Sequence, residues 1–545
     1  MIAKILDYKD QVLLFLIILI VIVPILTVVS YVFYPSTYLW GHLANNLLVE
    51  YLVNTFVILI SVGIISLILG VSCAWLINMY TFPGKDIFKW LLVMPIAIPT
   101  YVSAYIYAGL VEPSGFLFDT IEHTLGMGKE LYSLVDLRNI YGVIFILSIC
   151  LYPYVYLLTY SSFKEQSNCA IEVGKSLGLN RKELFIKISI PLARPGIIAG
   201  LSLVMMETLA EFGTMDYYGI STFTTGIYRT WFAFGDDTSA LHLASILLTF
   251  VFLLIILEKY SRGRSKYEHT SQNSRFTQSS NMSPIKAVYA FLWCSLISMV
   301  GFIIPILQLF IWLMDTYSYL FDREFIDIIL NTLIIATISS IIIVLISIYA
   351  SYINRSSNSL YTKLSLKIFS IGYSIPGVVI AVGIIIPLAF LDNIQALIFG
   401  SPVIFLSGSF VALLIAYLVR FSTISFNAIE SGLGKIKNNI DLTAKSFGFT
   451  NFMILKNIHI PMMKTTVITS LILVFVDIVK ELPATLILRP FNFDTLAIHI
   501  YELASSEQLS FIASPALMLI IIGLIPVIIL IKKTVNNGIG NEIRD

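Results

Sequence analysis

Four acidic residues recur at one spacing within apolar segments of this chain. Glu207 and Glu211 stand four residues apart, and Asp477 and Glu481 repeat the pair 270 positions later. Side chains four apart share a helix face, and ionised groups inside a membrane usually face the bundle interior or water. Since hard cations prefer oxygen ligands, these carboxylates are predicted to line a polar path through the membrane. The alternative is structural: they could hydrogen bond to neighbouring helices, or lie at span ends where Lys480 neutralises Glu481.

A second repeated feature lies in two polar loops between long apolar runs. In both loops a glycine is followed 13 residues later by a proline, and that proline is expected to close a short helix. The matched positions are Glu172, Gly174, Ser176, Leu177, Gly178 and Pro191 in the first copy and Ala444, Ser446, Gly448 and Pro461 in the second. A single loop of this kind could be a connector that keeps an amphipathic surface solvated. Its recurrence at equal spacing favours a docking element.

Each loop is predicted to fold as two short helices joined by a turn. Residues 168–177 can form the first helix, and Gly178 suits the left-handed conformation that ends it. Asn180 then serves as an N-cap with Glu183 three residues later, which is typical of a capping box. Thr450 holds the equivalent cap position in the second copy. The resulting surface has a shape that can enter a groove of a partner.

The elements that must position these residues are membrane spans. Hydrophobic residues make up 57% of the chain and charged residues 12%, with a mean hydropathy of +0.88, so polar groups cannot cover a water-soluble surface. A net charge of +1 also argues against a nucleic-acid partner. The chain is predicted to be an all-α polytopic membrane protein with twelve transmembrane helices. Runs of about 20 residues or more fall near 13–33, 52–79, 90–111, 139–160, 195–217, 239–257, 287–313, 328–352, 366–390, 403–427, 465–488 and 512–531.

The twelve runs divide into two tandem copies of six. Asn54 and Ile98-Pro99 match Asn331 and Ile375-Pro376, both 277 positions later. Because six is an even number, both copies cross the membrane in the same direction, unlike inverted repeats. The predicted organisation is a first copy over 1–257 with its loop at 164–194, a polar linker over 258–284, and a second copy over 285–545 with its loop at 428–464.

Basic residues orient the chain across the membrane. If the N-terminus is cytoplasmic, 28 of the 34 lysines and arginines fall on the cytoplasmic side, as the positive-inside rule expects. The exceptions are Lys129, Arg138, Arg229, Arg323 and Arg489 outside and Lys480 within a span. Both termini, both Gly-to-Pro loops and the linker, a Ser-rich tether expected to be flexible, are therefore predicted to be cytoplasmic.

Beyond these patterns, the chain resembles a known transporter family. The first loop is similar to the EAA loop of ABC importer permeases at Glu172-Val173-Gly174, Gly178 and Ile188-Ser189-Ile190-Pro191-Leu192. Three further stretches, 206–214, 223–229 and above all 480–491, resemble the fused two-copy permeases of ferric-iron importers. The resemblance covers nearly the whole chain and is weakest over 1–50 and in the linker.

This resemblance implies a fold, partners and a cargo. The fold would be two tandem six-helix repeats of the type I, MetI-like permease class in a bacterial cytoplasmic (inner) membrane. The two loops would dock on two copies of a cytoplasmic ABC ATPase, and an extracytoplasmic binding protein would deliver Fe³⁺. No Walker-type phosphate loop occurs in the chain, so ATP and Mg²⁺ are expected on the partner ATPase. This chain is predicted to be no enzyme, with no catalytic residue, no bound cofactor and no certain metal ligand.

Departures from the family pattern leave alternatives open. Leu442 stands where the family has Glu, with Asp441 one position earlier, so the two docking contacts are expected to be unequal. Within the same architecture the cargo could be thiamine, a phosphonate or another small solute. An ion-coupled secondary transporter is the alternative from another class, and it would need neither an ATPase nor two matched loops.

Overall fold

A computed structural model describes residues 2–112, 136–165, 173–174, 176–262, 280–318, 322–357, 359–400 and 406–525. The described chain is helical apart from turns and one short parallel pairing of strands β1 (Tyr80–Thr81) and β2 (Ser280–Asn281). The predicted all-α membrane fold is thereby confirmed.

The helices of the first copy begin near the N-terminus and end at the linker. They are α1 Ile2–Ser30, α2 Tyr38–Asn46, α3 Leu48–Met79, α4 Lys85–Leu91, α5 Thr100–Val111, α6 Ile140–Glu165, α7 Arg181–Leu184, α8 Ile190–Ala210, α9 Gly213–Tyr217, α10 Phe223–Phe232 and α11 Asp237–Arg262.

The second copy repeats this order after β2. Its helices are α12 Pro284–Ser298, α13 Ile304–Thr316, α14 Arg323–Ser356, α15 Leu360–Phe369, α16 Gly377–Phe399, α17 Phe410–Gly434, α18 Asn438–Ser446, α19 Asn451–Ile454, α20 Ile460–Met462, α21 Lys464–Val479, α22 Pro483–Leu488, α23 Leu496–Ser505 and the apolar α24 Leu509–Ile525.

The number of straight spans is smaller than the twelve predicted runs. Nine helices in the described ranges are long and apolar enough to cross a membrane, or up to eleven if each of two bent pairs is one span. The predicted run 90–111 is bent by 93° between Ala97 and Thr100, and the helix leading into 465–488 is bent by 80° at Met463. The last run is represented by the shorter α24, and 526–531 lies outside the described residues. The count is consistent with twelve segments, several of them broken.

Three helices form the same packed unit in each copy. In the first copy α3, α6 and α8 pack on one another, and in the second copy α14, α17 and α21 do so. The leading helix of each copy then packs on the other copy: α1 lies against α16, and α13 lies against α5. Because each copy supplies a helix to its partner, the two halves form one body.

Glycines allow these exchanged helices to approach closely. A Cβ at Gly383 of α16 would lie 2.6 Å from the carbonyl oxygen of Pro24 in α1, and one at Gly109 of α5 would lie 2.7 Å from the Trp312 ring of α13. Substituting either glycine would therefore push the two copies apart.

The ends of the predicted linker have regular structure. Helix α11 continues to Arg262, and Ser280–Asn281 pairs with Tyr80–Thr81, where the Thr81 hydroxyl donates to the Asn281 side chain. The part of the predicted tether between them, 263–279, lies outside the described residues.

Candidate functional site

Four helix breaks, two in each copy, interrupt the predicted spans. Pro99 and Pro376 are N-caps of α5 and α16 with nearly equal dihedral angles, φ −57° and ψ 145° against φ −57° and ψ 140°. The other two breaks follow α8 at Glu211 and α21 at Lys480. Sequence reasoning treats 195–217 and 465–488 as continuous spans, and this is wrong. Both helices end at the acidic pair, and short helices α9 and α22 follow.

The breaks enclose a cavity of about 130 Å³ lined by both copies. All four predicted acids line it: Glu207, Glu211, Asp477 and Glu481. Their convergence follows from the repeat, because each pair ends the same helix of its copy and the copies face each other across the cavity. Within the described residues, no group of three or more His, Cys, Asp and Glu side chains is arranged to hold a metal ion.

Two of the acids cap the short helices. The Glu211 carboxylate accepts hydrogen bonds from the Thr214 backbone N–H, at 2.9 Å, and from the Thr100 hydroxyl. The Glu481 carboxylate accepts from the backbone N–H groups of Ala484 and Thr485, both at 2.9 Å. These bonds satisfy donors that a new helix leaves unpaired. The alternative that the acids hydrogen bond to neighbouring segments therefore describes Glu211 and Glu481 well, although both carboxylates also border the cavity.

The other two acids keep their carboxylates available to the cavity. Glu207 accepts one hydrogen bond, from the Tyr373 hydroxyl of the other copy at 2.6 Å. Asp477 has neither a hydrogen bond nor an ion pair with any residue that the structure describes. A half-buried carboxylate without a partner, such as Asp477, is costly, and Glu207 has an oxygen free of the Tyr373 hydrogen bond. Glu207 and Asp477 are therefore the better candidates for contact with a cargo.

Two basic side chains share the cavity. Lys480 does not neutralise Glu481, as one sequence alternative proposed; its ammonium donates to the Ile96 carbonyl of the first copy at 2.8 Å. Arg420 takes that place, with Nη1 3.5 Å from Glu481 Oε1. Sequence reasoning places Arg420 with the cytoplasmic basic residues because it lies toward the end of the run 403–427. The sequence does contain a signal for Arg420, because a charged residue within an apolar run indicates a functional position, as it does for the four acids.

The two loops predicted to dock on a partner, 164–194 and 428–464, are called the docking loops, and the predicted turn is present in both copies. Gly178 and Gly448 adopt left-handed conformations, with φ +79° and +81°. The capping box is present, since the Glu183 carboxylate accepts from the Asn180 N–H and the Asn180 side chain accepts from the Glu183 N–H. In the second copy the Thr450 hydroxyl accepts from the Met453 N–H.

The remaining loop positions also match between copies. Gly174 and Ala444 are buried, and a Cβ on Gly174 would collide with Ile188 and Leu184 of the second helix. Ser176 and Ser446 donate to carbonyls three residues earlier, at 2.8 Å and 2.7 Å. Among the large apolar side chains in the described part of each loop, those before the glycines are the most exposed: Leu177 at 74% and Phe447 at 77%. Glu172 lies outside the described residues.

The prolines do not end the second helices as expected. Pro191 and Pro461 both lie in the first turn of a helix, α8 and α20, directly after π-helical turns over Phe185–Ser189 and Leu455–His459. The helical backbone is continuous from the π-helical turn into each proline, and the wider π turn accommodates the proline ring and its missing N–H. In the first copy the helix continues to Ala210, whereas in the second copy it bends at Met463. The loops are thus coupled to their membrane helices through different geometries.

The shifted acid of the second loop binds other residues of the same chain. Asp441 accepts from Arg355 Nε at 2.7 Å and lies 2.8 Å from Nε2 of the buried His459. Burial alone would raise the pKa of the Asp441 carboxyl, but these hydrogen bonds hold the pKa below its ordinary value. The neighbouring Leu442 is 65% exposed. In this loop the exposed apolar side chain and the carboxylate that binds Arg355 therefore belong to different residues.

We expect Asp441→Asn to loosen the second docking loop without disturbing the membrane region. The loss of one ion pair and one hydrogen bond should cost about 1–3 kcal/mol, and limited proteolysis should cleave within α18 faster. Because the pKa of Asp441 is lowered, the carboxylate's contribution is complete above its ordinary value of about 3.9 and is lost only as pH falls through the lower folded value. A wild-type cleavage pattern at neutral pH would contradict the anchoring role. Glu430→Gln, at an exposed contact with Asn354, is the matched control.

Comparison with known proteins agrees with these features. Residues 66–266 match the family described as binding-protein-dependent transport system inner membrane component. The chain is 25% identical to the Fe(3+)-transport system permease protein FbpB 2 of Haemophilus influenzae over 89% of this chain and 90% of that protein. It is 22% identical to the ferric transport system permease protein FbpB of Actinobacillus pleuropneumoniae over 82% of this chain and 65% of that protein.

A more distant similarity is confined to part of the chain. The molybdenum transport system permease protein ModB of Escherichia coli is 26% identical over 37% of this chain and 89% of that protein. The match to the ferric permeases, in contrast, extends across both copies. Residues 66–266 therefore match the inner membrane components of binding-protein-dependent transport systems, and most of the chain resembles the ferric permeases.

Proposed function

We propose that this chain is the translocation subunit of an ATP-driven importer of ferric iron. An extracytoplasmic binding protein would deliver the ion, and two copies of a separate cytoplasmic ATPase would bind at the two docking loops. The observation that carries the proposal is the convergence of two repeat-related acidic pairs in one cavity between the copies. The similarity to proteins named as ferric permeases supports the choice of ion.

The size and charge of the cavity suit a small cation. At about 130 Å³ it is smaller than the roughly 300–1,000 Å³ typical of sites for organic ligands, which speaks against thiamine as cargo. Four carboxylates exceed two basic groups, so the cavity has an excess of negative charge when all are ionised. Oxygen ligands match a hard trivalent ion. Glu207 and Asp477 would make passing contacts, because conduction needs binding weak enough for release.

The docking loops supply the proposed coupling to ATP. Exposed apolar side chains, Leu177 in the first copy and Leu442, Phe447 and Phe452 in the second, form a surface that a partner's cleft can bury. Beside them a groove of about 390 Å³ runs along α18. Closure of the ATPase pair would move both loops together, and each loop leads into the helix that ends at an acidic pair, α8 or α21. The loops, the linker and both termini would be cytoplasmic.

One observation favours a second candidate, an oxyanion. Arg420 and Lys480 line the same cavity, and the more distant relatives include permeases named for molybdenum and sulfate. A guanidinium binds oxyanions well. The four carboxylates would oppose such a cargo, and for this reason the cation is preferred.

Uptake measurements distinguish these functions. Proteoliposomes containing the chain with its cognate ATPase and binding protein are expected to accumulate radioactive iron only when ATP is inside and loaded binding protein is outside. Accumulation of molybdate or sulfate instead would establish the oxyanion. Iron uptake driven by an ion gradient without ATP would indicate a secondary transporter. An ATPase variant that binds but does not hydrolyse ATP is the control.

A further inference from the structure

Arg420 is an unusual neighbour for a site proposed to pass a cation. Its side chain is 11% exposed, and its Nε and Nη1 atoms are buried without a hydrogen-bond partner. Arginine stays protonated in proteins, so the cavity always contains this charge. Its guanidinium borders the same cavity as Glu481 and the unpartnered Asp477.

The repeat shows that the fold does not require this charge. At an offset of 270, the counterpart of Arg420 is Cys150, which also lines the cavity. At an offset of 277, the counterpart of Gly377 is Thr100, whose hydroxyl donates to Glu211. The same capping carboxylate is therefore supported by a neutral hydroxyl in one copy and by a cation in the other.

Gly377 makes the space that the cation occupies. A Cβ at this position would collide with Arg420 Nη1 and lie 2.7 Å from Glu481 Oε1. Compared with the first copy, the second copy has glycine in place of threonine and arginine in place of cysteine. The guanidinium occupies the space that a side chain at position 377 would need. Glu481 already has two backbone N–H donors and the Thr485 hydroxyl, so its capping role does not depend on Arg420.

We propose that Arg420 is a tethered counter-cation that partly neutralises the carboxylates of the cavity when no cargo is present. Its charge offsets the repulsion among carboxylates that would otherwise be left facing each other, and an entering ion must compete with it. A cation of high charge displaces the guanidinium from the acids more readily than a divalent ion does. Arg420 is in this sense a specificity-determining residue, and the inference rests on the proposed function.

Binding of Tb³⁺, a hard trivalent probe whose luminescence nearby tyrosines can excite, tests the proposal in the purified full-length chain. Tyr154 and Tyr373 line the cavity. We expect Arg420→Gln to tighten Tb³⁺ binding at least about tenfold, because a repelling charge is removed from a poorly screened site. Arg420→Lys, which keeps the charge, should stay near wild type. Asp477→Asn should abolish the tyrosine-excited signal, which would show that the signal comes from Tb³⁺ bound in the cavity.

A symmetrised variant covers the possibility that Arg420→Gln does not fold. Arg420→Cys with Gly377→Thr reproduces the pair that the first copy already accommodates at Cys150 and Thr100. It should fold, and it should tighten Tb³⁺ binding by a similar factor.

The possible results separate the two proposals. Unchanged or weaker Tb³⁺ binding in the charge-removing variants, with a normal wild-type signal, would overturn the counter-cation role alone. Wild-type chain that binds molybdate but not Tb³⁺, and loses molybdate when Arg420 is replaced, would refute both this inference and the ferric function.

Discussion

Replacing Glu207 by Gln and Asp477 by Asn together is expected to lower iron uptake at least about tenfold while the protein still inserts and binds its ATPase. These are the two acids whose carboxylates are not used to cap helices. Removing two negative charges weakens the field that concentrates a trivalent ion in the cavity. The measurement is ATP-dependent uptake in proteoliposomes with loaded binding protein, together with ATP hydrolysis, which should persist.

The capping acids provide the matched comparison. Glu211→Gln with Glu481→Gln removes the same charge. At position 481, where both carboxylate oxygens accept from backbone N–H groups, it also turns an amide NH₂ toward one of these donors. Each unsatisfied donor costs about 1–3 kcal/mol, so this variant should lose thermal stability and assembly before it loses transport. If the capping variant transports poorly yet is as stable as wild type, and the Glu207 and Asp477 variant transports normally, the assignment of roles is reversed.

Gly178→Val and Gly448→Val are each expected to abolish co-purification of the ATPase and, with it, transport. Both glycines have a left-handed backbone, and a β-branched residue there costs about 1–3 kcal/mol. The turn would relax and move the exposed side chain that precedes it, Leu177 or Phe447, away from its partner. No atom of the described residues lies within 4 Å of where a Cβ would stand at either position, so the effect would come from backbone strain rather than from a collision.

Gly434→Ala is the control for these substitutions. The described structure also leaves open space where a Cβ would stand at Gly434, but its backbone is not left-handed, so the variant should retain the ATPase. Retention of the ATPase and of uptake in both valine variants would show that the turns are not needed for docking. Loss of the ATPase in only one of the two variants would show that one loop contributes most of the binding. The different helix geometries after the two loops make such an asymmetry physically reasonable.

Local features of the repeat were predictable because they depend on nearby residues. A glycine ends a helix and an Asn with a Glu three residues later caps the next one, whatever surrounds them. The convergence of the four acids was also predictable, since a duplication places matched residues on matched helices. Broken helices were harder to foresee. Hydropathy continues through Glu211 and Glu481, and the capping bonds that end α8 and α21 are not visible in it.

Taken by itself, the sequence determined the class of this protein, its two copies, its paired loops and the four acids, because composition and a fixed offset are properties of the chain alone. Only the tertiary structure decided which acids cap helices and which face the cavity. It also decided that Arg420, rather than Lys480, lies beside Glu481, and that Asp441 turns inward to Arg355. These outcomes depend on which distant helices become neighbours. A side chain's partner is chosen by that packing and not by its position along the chain.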